Sequence, residues 1–178
     1  RAPIYATAFT AHLAQAKLIE RGLKNTSIQV LPLGASIEAG PFKVSYITLT
    51  HSIPEPNALA IDTPLGTILH TGDWKIDPEP QLGEQTDIEA LTALGDEGVL
   101  AMVCDSTNVF VEGESGSEGV VRQNLIELIG SLTGRVAVTT FASNVARVAT
   151  VIEAARQAGR SVCLVGRSMH KITDAAIA

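Results

Sequence analysis

Thr50-His51-Ser52-Ile53-Pro54-Glu55 and His70-Thr71-Gly72-Asp73-Trp74-Lys75 bracket the stretch that decides the fold of this chain. Between them, Asn57 to Asp62 and Gly66 to Leu69 read as two short strands joined by Asp62-Thr63-Pro64-Leu65-Gly66. Pro64 suits the second position of a turn and Gly66 relaxes the exit from it. A hairpin here places His51 before one strand and Asp73 after the other. Imidazole nitrogen and carboxylate oxygen are ligands of catalytic zinc and its relatives, so His51 and Asp73 are expected to meet at one metal, with Gly72 letting backbone crowd close beside them. Two ligands fall short of the about three that a catalytic zinc takes from its protein. His70, three residues before Asp73, points to the opposite face of a strand and reads as structural rather than ligating.

Outward from the hairpin, Phe42 to Leu49 alternates as a half-buried strand, with Phe42, Val44 and Tyr46 on one face and Lys43 and Ser45 on the other. Ala11 to Arg21 reads as a helix with Thr10 as N-cap and Gly22 as its stop. Thr86-Asp87-Ile88-Glu89 has capping-box spacing and predicts a helix ending near Gly95. Val99 to Cys104 follows as a buried strand whose far end delivers Asp105.

From Ser115 the rhythm changes. Ser115 and Glu118 share capping-box spacing, and Val121, Leu125, Leu128 and Leu132 recur at helical intervals. A strand is expected over 135–140, a helix lined by Val145, Val148, Ile152 and Ala155 and ended by Gly159, then a strand over 161–165. Such alternation implies parallel strands with crossover helices. The aperiodic connection Phe110 to Gly116 marks a boundary, giving one region over 1–114 and another over 115–178.

With 178 residues and 46% hydrophobic content the chain forms one domain or parts of two around a real core. No run approaches the ~20 apolar residues of a membrane span and no signal peptide is visible, so no membrane partner is expected and cytoplasm is the default. Cys104 and Cys163, each within an apolar run, are expected to be buried reduced thiols. A net charge of −6 with unclustered basic residues argues mildly against nucleic acid. A catalytic groove is local, however, and metal cations would supply much of its positive field, so composition neither proves nor excludes RNA.

Asp105 is a candidate acid near the site, able to orient a histidine or move a proton, although Asp105-Ser106-Thr107-Asn108 is also good turn sequence. Ser143, Asn144, Arg167 and Ser168 fall where a parallel strand is expected to give way to a helix, a location that favours anions such as phosphate. Ser143 or Asn144 can equally cap the helix, and Arg147 and Arg167 can pair with Glu153 and Asp174. Phe141 reads as a core residue before a base-stacking one.

The segments 50–55 and 71–75, with Cys104-Asp105-Ser106-Thr107-Asn108, Thr139-Thr140-Phe141-Ala142-Ser143-Asn144 and Val165-Gly166-Arg167-Ser168-Met169, resemble the ribonuclease J branch of the β-CASP group in the metallo-β-lactamase superfamily. The resemblance spans nearly the whole chain. It implies an α/β fold: the later half of a metallo-β-lactamase-type αββα domain over 1–114, followed by the start of a parallel α/β β-CASP domain over 115–178. It further implies an RNA phosphodiester hydrolase with endonuclease and 5′-to-3′ exonuclease activity. Such an enzyme uses two divalent metal ions, zinc by preference, and commonly forms dimers or tetramers. In the resembling enzymes an aspartate matching Asp73 bridges both metals and is catalytic, a histidine matching His51 binds one of them, and an acid matching Asp105 lies close by. The family's H-x-H-x-D-H motif is absent, as are its later histidines. The expectation is therefore an internal fragment, inactive alone and possessing too few ligands to hold metal, with a degenerate paralogue that has lost its metal as the competing account. Rival readings are a metal-free RNA-binding or assembly module of a degradation complex, and a small-ester metallohydrolase of the same fold.

Overall fold

The structure is a computed structural model describing residues 2–177. Strand β1 (Ile4–Ala6), helix α1 (Ala8–Glu20) and strand β2 (Ile28–Val30) form a unit in which the two strands pair in parallel and the helix is the crossover. Helix α1 begins three residues before the expected start. Thr7 is its N-cap residue but its hydroxyl caps nothing; the Glu55 carboxylate instead accepts the Phe9 N–H at 2.9 Å. That cap comes from the loop beside His51, which no local sequence rule can supply.

Strands β3 (Ser36–Ala39), β4 (Phe42–Thr48), β5 (Asn57–Thr63) and β6 (Gly66–His70) make an antiparallel meander. The β5–β6 hairpin turns over Pro64 and Leu65, with Pro64 at the second turn position as read from sequence and β5 running one residue further than expected, to Thr63. Thr63 holds the turn, its hydroxyl accepting from Leu65 N–H and donating to the Gly66 carbonyl. Helix α2 (Ile88–Glu97) then crosses over, and β7 (Ala101–Val103) pairs in parallel with β6, completing a five-stranded sheet. Ile47, Leu49, Ala58 and Ala60 pack against Leu94 of α2, with Leu69, Ala90, Leu91 and Val99 around them. The face carrying Phe42, Val44 and Tyr46 is thus not the one under α2. Strand alternation holds, but Ile47 and Leu49 lie on the other face with Ser45, and Phe42 stays exposed.

Several boundaries move. Asp87, not Thr86, caps α2, accepting from Ala90 N–H at 2.9 Å, because the Thr86 hydroxyl is engaged by Thr50; the helix runs through Gly95 to Glu97. Strand β7 is an exposed edge rather than a buried strand, since one side of it has no neighbour among the described residues. Ser117, not Ser115, caps helix α3 (Glu118–Ser131), and its buried residue is Ile129, with Leu128 and Leu132 exposed.

Helix α4 (Val145–Gln157) packs beside α3, and α5 (Arg167–Ile177) touches both α4 and α1. Along α4, Val145, Val148 and Ala155 are buried as read, whereas Ile152 is exposed. The strands expected over 135–140 and 161–165 do not form. A strand exists only where a neighbour completes its ladder; just ahead of these segments the Arg160 guanidinium donates to the carbonyls of Leu132 and Gly134. Cys163 and Phe141 lie in or beside these unpaired runs and are exposed, against the expectation of burial; Cys104 is half-buried, and both thiols are free. A second core joins Phe9 of α1, Val145 of α4 and Ala175 of α5 around Ile53 and Leu82. No helix of the described residues is long and apolar enough to cross a membrane.

Candidate active site

Thr50 ties together the segments that carry His51 and Asp73. It is 2% exposed, and its carbonyl accepts the Lys75 N–H at 2.9 Å, forming an isolated antiparallel bridge between the segments. Its hydroxyl donates to the Lys75 carbonyl and accepts from the Asp77 N–H at 3.0 Å, while the Thr86 hydroxyl lies 3.0 Å away. Thr50 N–H in turn donates to Thr86 Oγ1 at 3.1 Å. One buried threonine thereby fixes the backbone on the far side of both His51 and Asp73, consistent with the rule that buried polar groups are satisfied.

His51 is half-buried and its Nδ1 lies 3.1 Å from the Ser52 hydroxyl. Asp73 is exposed, following Gly72, whose φ of 61° suits glycine and whose added Cβ would stand 3.3 Å from the Asn57 carbonyl. His70 Nδ1 accepts the Gly72 N–H at 3.1 Å, a local hydrogen bond that suits a structural part. On the opposite side of the His51 loop, Gly83 with φ of 70° lies where any Cβ would collide with the Pro54 carbonyl.

Thr71 connects Asp105 to the same place: its hydroxyl accepts the Asp105 N–H at 3.1 Å, and its own N–H donates to the Val103 carbonyl at 2.9 Å. The Thr107 hydroxyl, 2.6 Å from Asp105, and the Thr107 amide, at 3.0 Å, hold the Asp105 carboxyl below its ordinary range; partial desolvation opposes them and nearby His51 adds to the lowering. The turn reading of this segment is thus present, and its hydrogen bonds favour an ionised Asp105. An ionised Asp105 suits orienting a histidine better than delivering a proton. The Trp74 indole N–H donates to the Asp105 carbonyl at 3.2 Å, forming one wall of an open cleft of roughly 600 Å³ whose other sides include Cys104, Asn108, Val109 and Glu112.

Of the residues considered for phosphate, Asn144 caps α4, accepting the Arg147 N–H at 2.8 Å. Ser143 precedes that cap and Ser168 sits in the first turn of α5. Arg167 pairs with Glu20 at 3.0 Å, not with Asp174, and Arg147 pairs with Glu118, not with Glu153. Among the described residues no three His, Cys, Asp or Glu side chains gather as a metal-binding group. Sequence reasoning missed Thr50, Asp77 and Glu118, whose partners lie 25 or more residues away.

Residues 133–178 match the family model described as ribonuclease J, β-CASP domain. Over 98% of its length the chain is 50% identical to a ribonuclease J of Sinorhizobium meliloti and 39% identical to a ribonuclease J of Thermus thermophilus; over 94% it is 44% identical to a ribonuclease J of Corynebacterium glutamicum. This chain is ribonuclease J-like. It spans 31% of the length of the Sinorhizobium and Thermus proteins and 23% of the Corynebacterium one. A crystal structure of a protein of unknown function from Enterococcus faecalis shares the fold, with a TM-score of 0.63 at 18% identity, covering 85% of this chain and 39% of that one. The β-CASP match includes α4, α5 and both unpaired segments, so it covers the phosphate candidates and begins well after the His51 and Asp73 segments.

Proposed function

We propose that this ribonuclease J-like chain is part of a nuclease that hydrolyses RNA phosphodiesters, with His51 and Asp73 contributing to its reactive centre. The observation that supports this best is the Thr50–Lys75 bridge, which ties the two segments in a chain 50% identical to a named ribonuclease J. In this reading residues 1–114 are the later part of a metallo-β-lactamase-type domain and 115–178 the start of the β-CASP domain. The whole protein is a cytoplasmic homo-oligomer with endonuclease and 5′-to-3′ exonuclease activity that works with two divalent metal ions, zinc by preference. The donor set present here does not fit such a centre, because His51 and Asp73 are fewer than the about three protein ligands of a catalytic zinc. These 178 residues alone are therefore expected to be inactive. Asp105 orients His51, and Ser143, Arg167 and Ser168 contact RNA phosphates, with Asn144 shaping the helix end between them.

The test is cleavage of a labelled single-stranded oligoribonucleotide by the full-length protein containing this chain. Asp73→Ala is expected to lower turnover by roughly 10³-fold or more while circular dichroism stays unchanged, as for a group acting only in the transition state. Full activity in that variant, or comparable cleavage by the 178-residue chain, refutes the assignment.

A further inference from the structure

We propose that Asp77 is a positioning residue that makes the α3–α4 pair part of the frame holding His51 and Asp73, an inference that rests on those two residues being the reactive pair. Asp77 is 4% exposed, and as a buried carboxylate it needs every lone pair answered. Its Oδ1 accepts the Glu79 N–H at 3.0 Å. Its Oδ2 accepts the N–H of Glu118, the first residue of α3, at 2.8 Å, and faces Lys75 Nζ at 3.3 Å. The Glu118 carboxylate then receives the Arg147 guanidinium of α4 through contacts of 3.1, 3.2 and 3.4 Å. One residue earlier, Ala146 donates its N–H to the Ser52 carbonyl at 3.2 Å, next to His51.

These contacts close a circuit. From Ser52 it runs through α4 to Glu118, through Asp77 to the segment carrying Lys75 and Asp73, and through Thr50 back to His51. Two carboxylates and two cations balance within it, and all four side chains are shielded enough that their pairing differs from a solvated surface bridge. Helices α3 and α4 thus hold both candidate residues from outside, and Asp77 is the link through which α3 acts.

Asp77→Asn is a selective probe. Its amide keeps one acceptor, so in either orientation an –NH₂ faces a backbone N–H that Asp77 had satisfied. In the full-length protein containing this chain, hydrogen exchange at the Glu118 and Lys75 amides is expected to quicken roughly tenfold or more, while Ala60 and Leu69 in the hairpin keep their rates. In the full-length protein, kcat on an oligoribonucleotide is expected to fall roughly tenfold with KM within about threefold, and Glu118→Gln added to Asp77→Asn is expected to cost little more, since both cut one circuit. Uniform acceleration of exchange, no local acceleration, or local acceleration with kcat unchanged each overturns the proposal. A wild-type protein that cleaves no RNA refutes the nuclease reading instead, and the exchange pattern then decides on its own whether Asp77 couples the two segments.

Discussion

Thr50 shows how much one side chain can organise when every polar atom it buries is matched. Its methyl contributes volume and its hydroxyl contributes direction, so Thr50→Val separates the two. Val fills the same space but strands the Asp77 N–H and the Lys75 carbonyl, a loss expected to be about 2 kcal/mol in urea unfolding, with Thr50→Ser recovering most of it. Equal stability in Thr50→Val would mean that water replaces the hydroxyl. His51, Asp73 and Asp105 are candidates from the sequence because each lies just past an apolar run. Thr50 and Asp77 are not, because nothing local distinguishes a threonine or aspartate whose partners sit 27 and 41 residues away.

At the scale of elements, caps are decided by where the neighbouring backbone arrives. Ser115 and Ser117 compete for α3, and Ser117 wins because its Oγ reaches the Gly119 N–H at 2.9 Å while Asp77 takes the Glu118 N–H. Asn144 was one of two named alternatives for α4, and its amide oxygen makes the cap. Asn144→Ala is expected to cost about 1 kcal/mol of stability, read from the urea midpoint, with the salt dependence of RNA binding by the full-length protein unchanged. A flattened salt slope would instead assign Asn144 a phosphate. The hairpin was legible down to its turn because strands β5 and β6 are sequence neighbours. The segments 135–140 and 161–165 have strand composition, but composition supplies no partner, and a ladder needs one.

For the molecule as a whole, two cores and the Asp77 circuit are joined through the loops around His51, Ile53 and Leu82. That junction carries a pH signature. Burial raises the Asp77 carboxyl, yet the amides of Glu118 and Glu79, the Ser117 hydroxyl and the Lys75 charge outweigh it and leave the group below its usual range. A carboxyl that binds its proton more weakly folded than unfolded contributes fully above about pH 3.9 and loses that contribution as pH falls through its lower folded value. Urea midpoints are expected to be level from pH 7 to about 5 and to decline below about 4, with a shallower decline in Asp77→Asn. Identical acid limbs in the two proteins would remove Asp77 from this role. Glu153 of α4, drawn down to about 2 by Arg156 and Gln157, is no member of the circuit, and its titration is the natural control.

The chain has a single tryptophan, and it is the one whose indole N–H is fastened to the Asp105 carbonyl at the wall of the cleft. All of its long-wavelength emission therefore originates within one residue of Asp73. Solvent relaxation around an excited indole depends on its hydrogen bond and on the water beside it, so anything that shifts the Asp105 loop recolours the fluorescence without a label. The site has a built-in optical probe whose signal is undiluted by any other indole in these 178 residues.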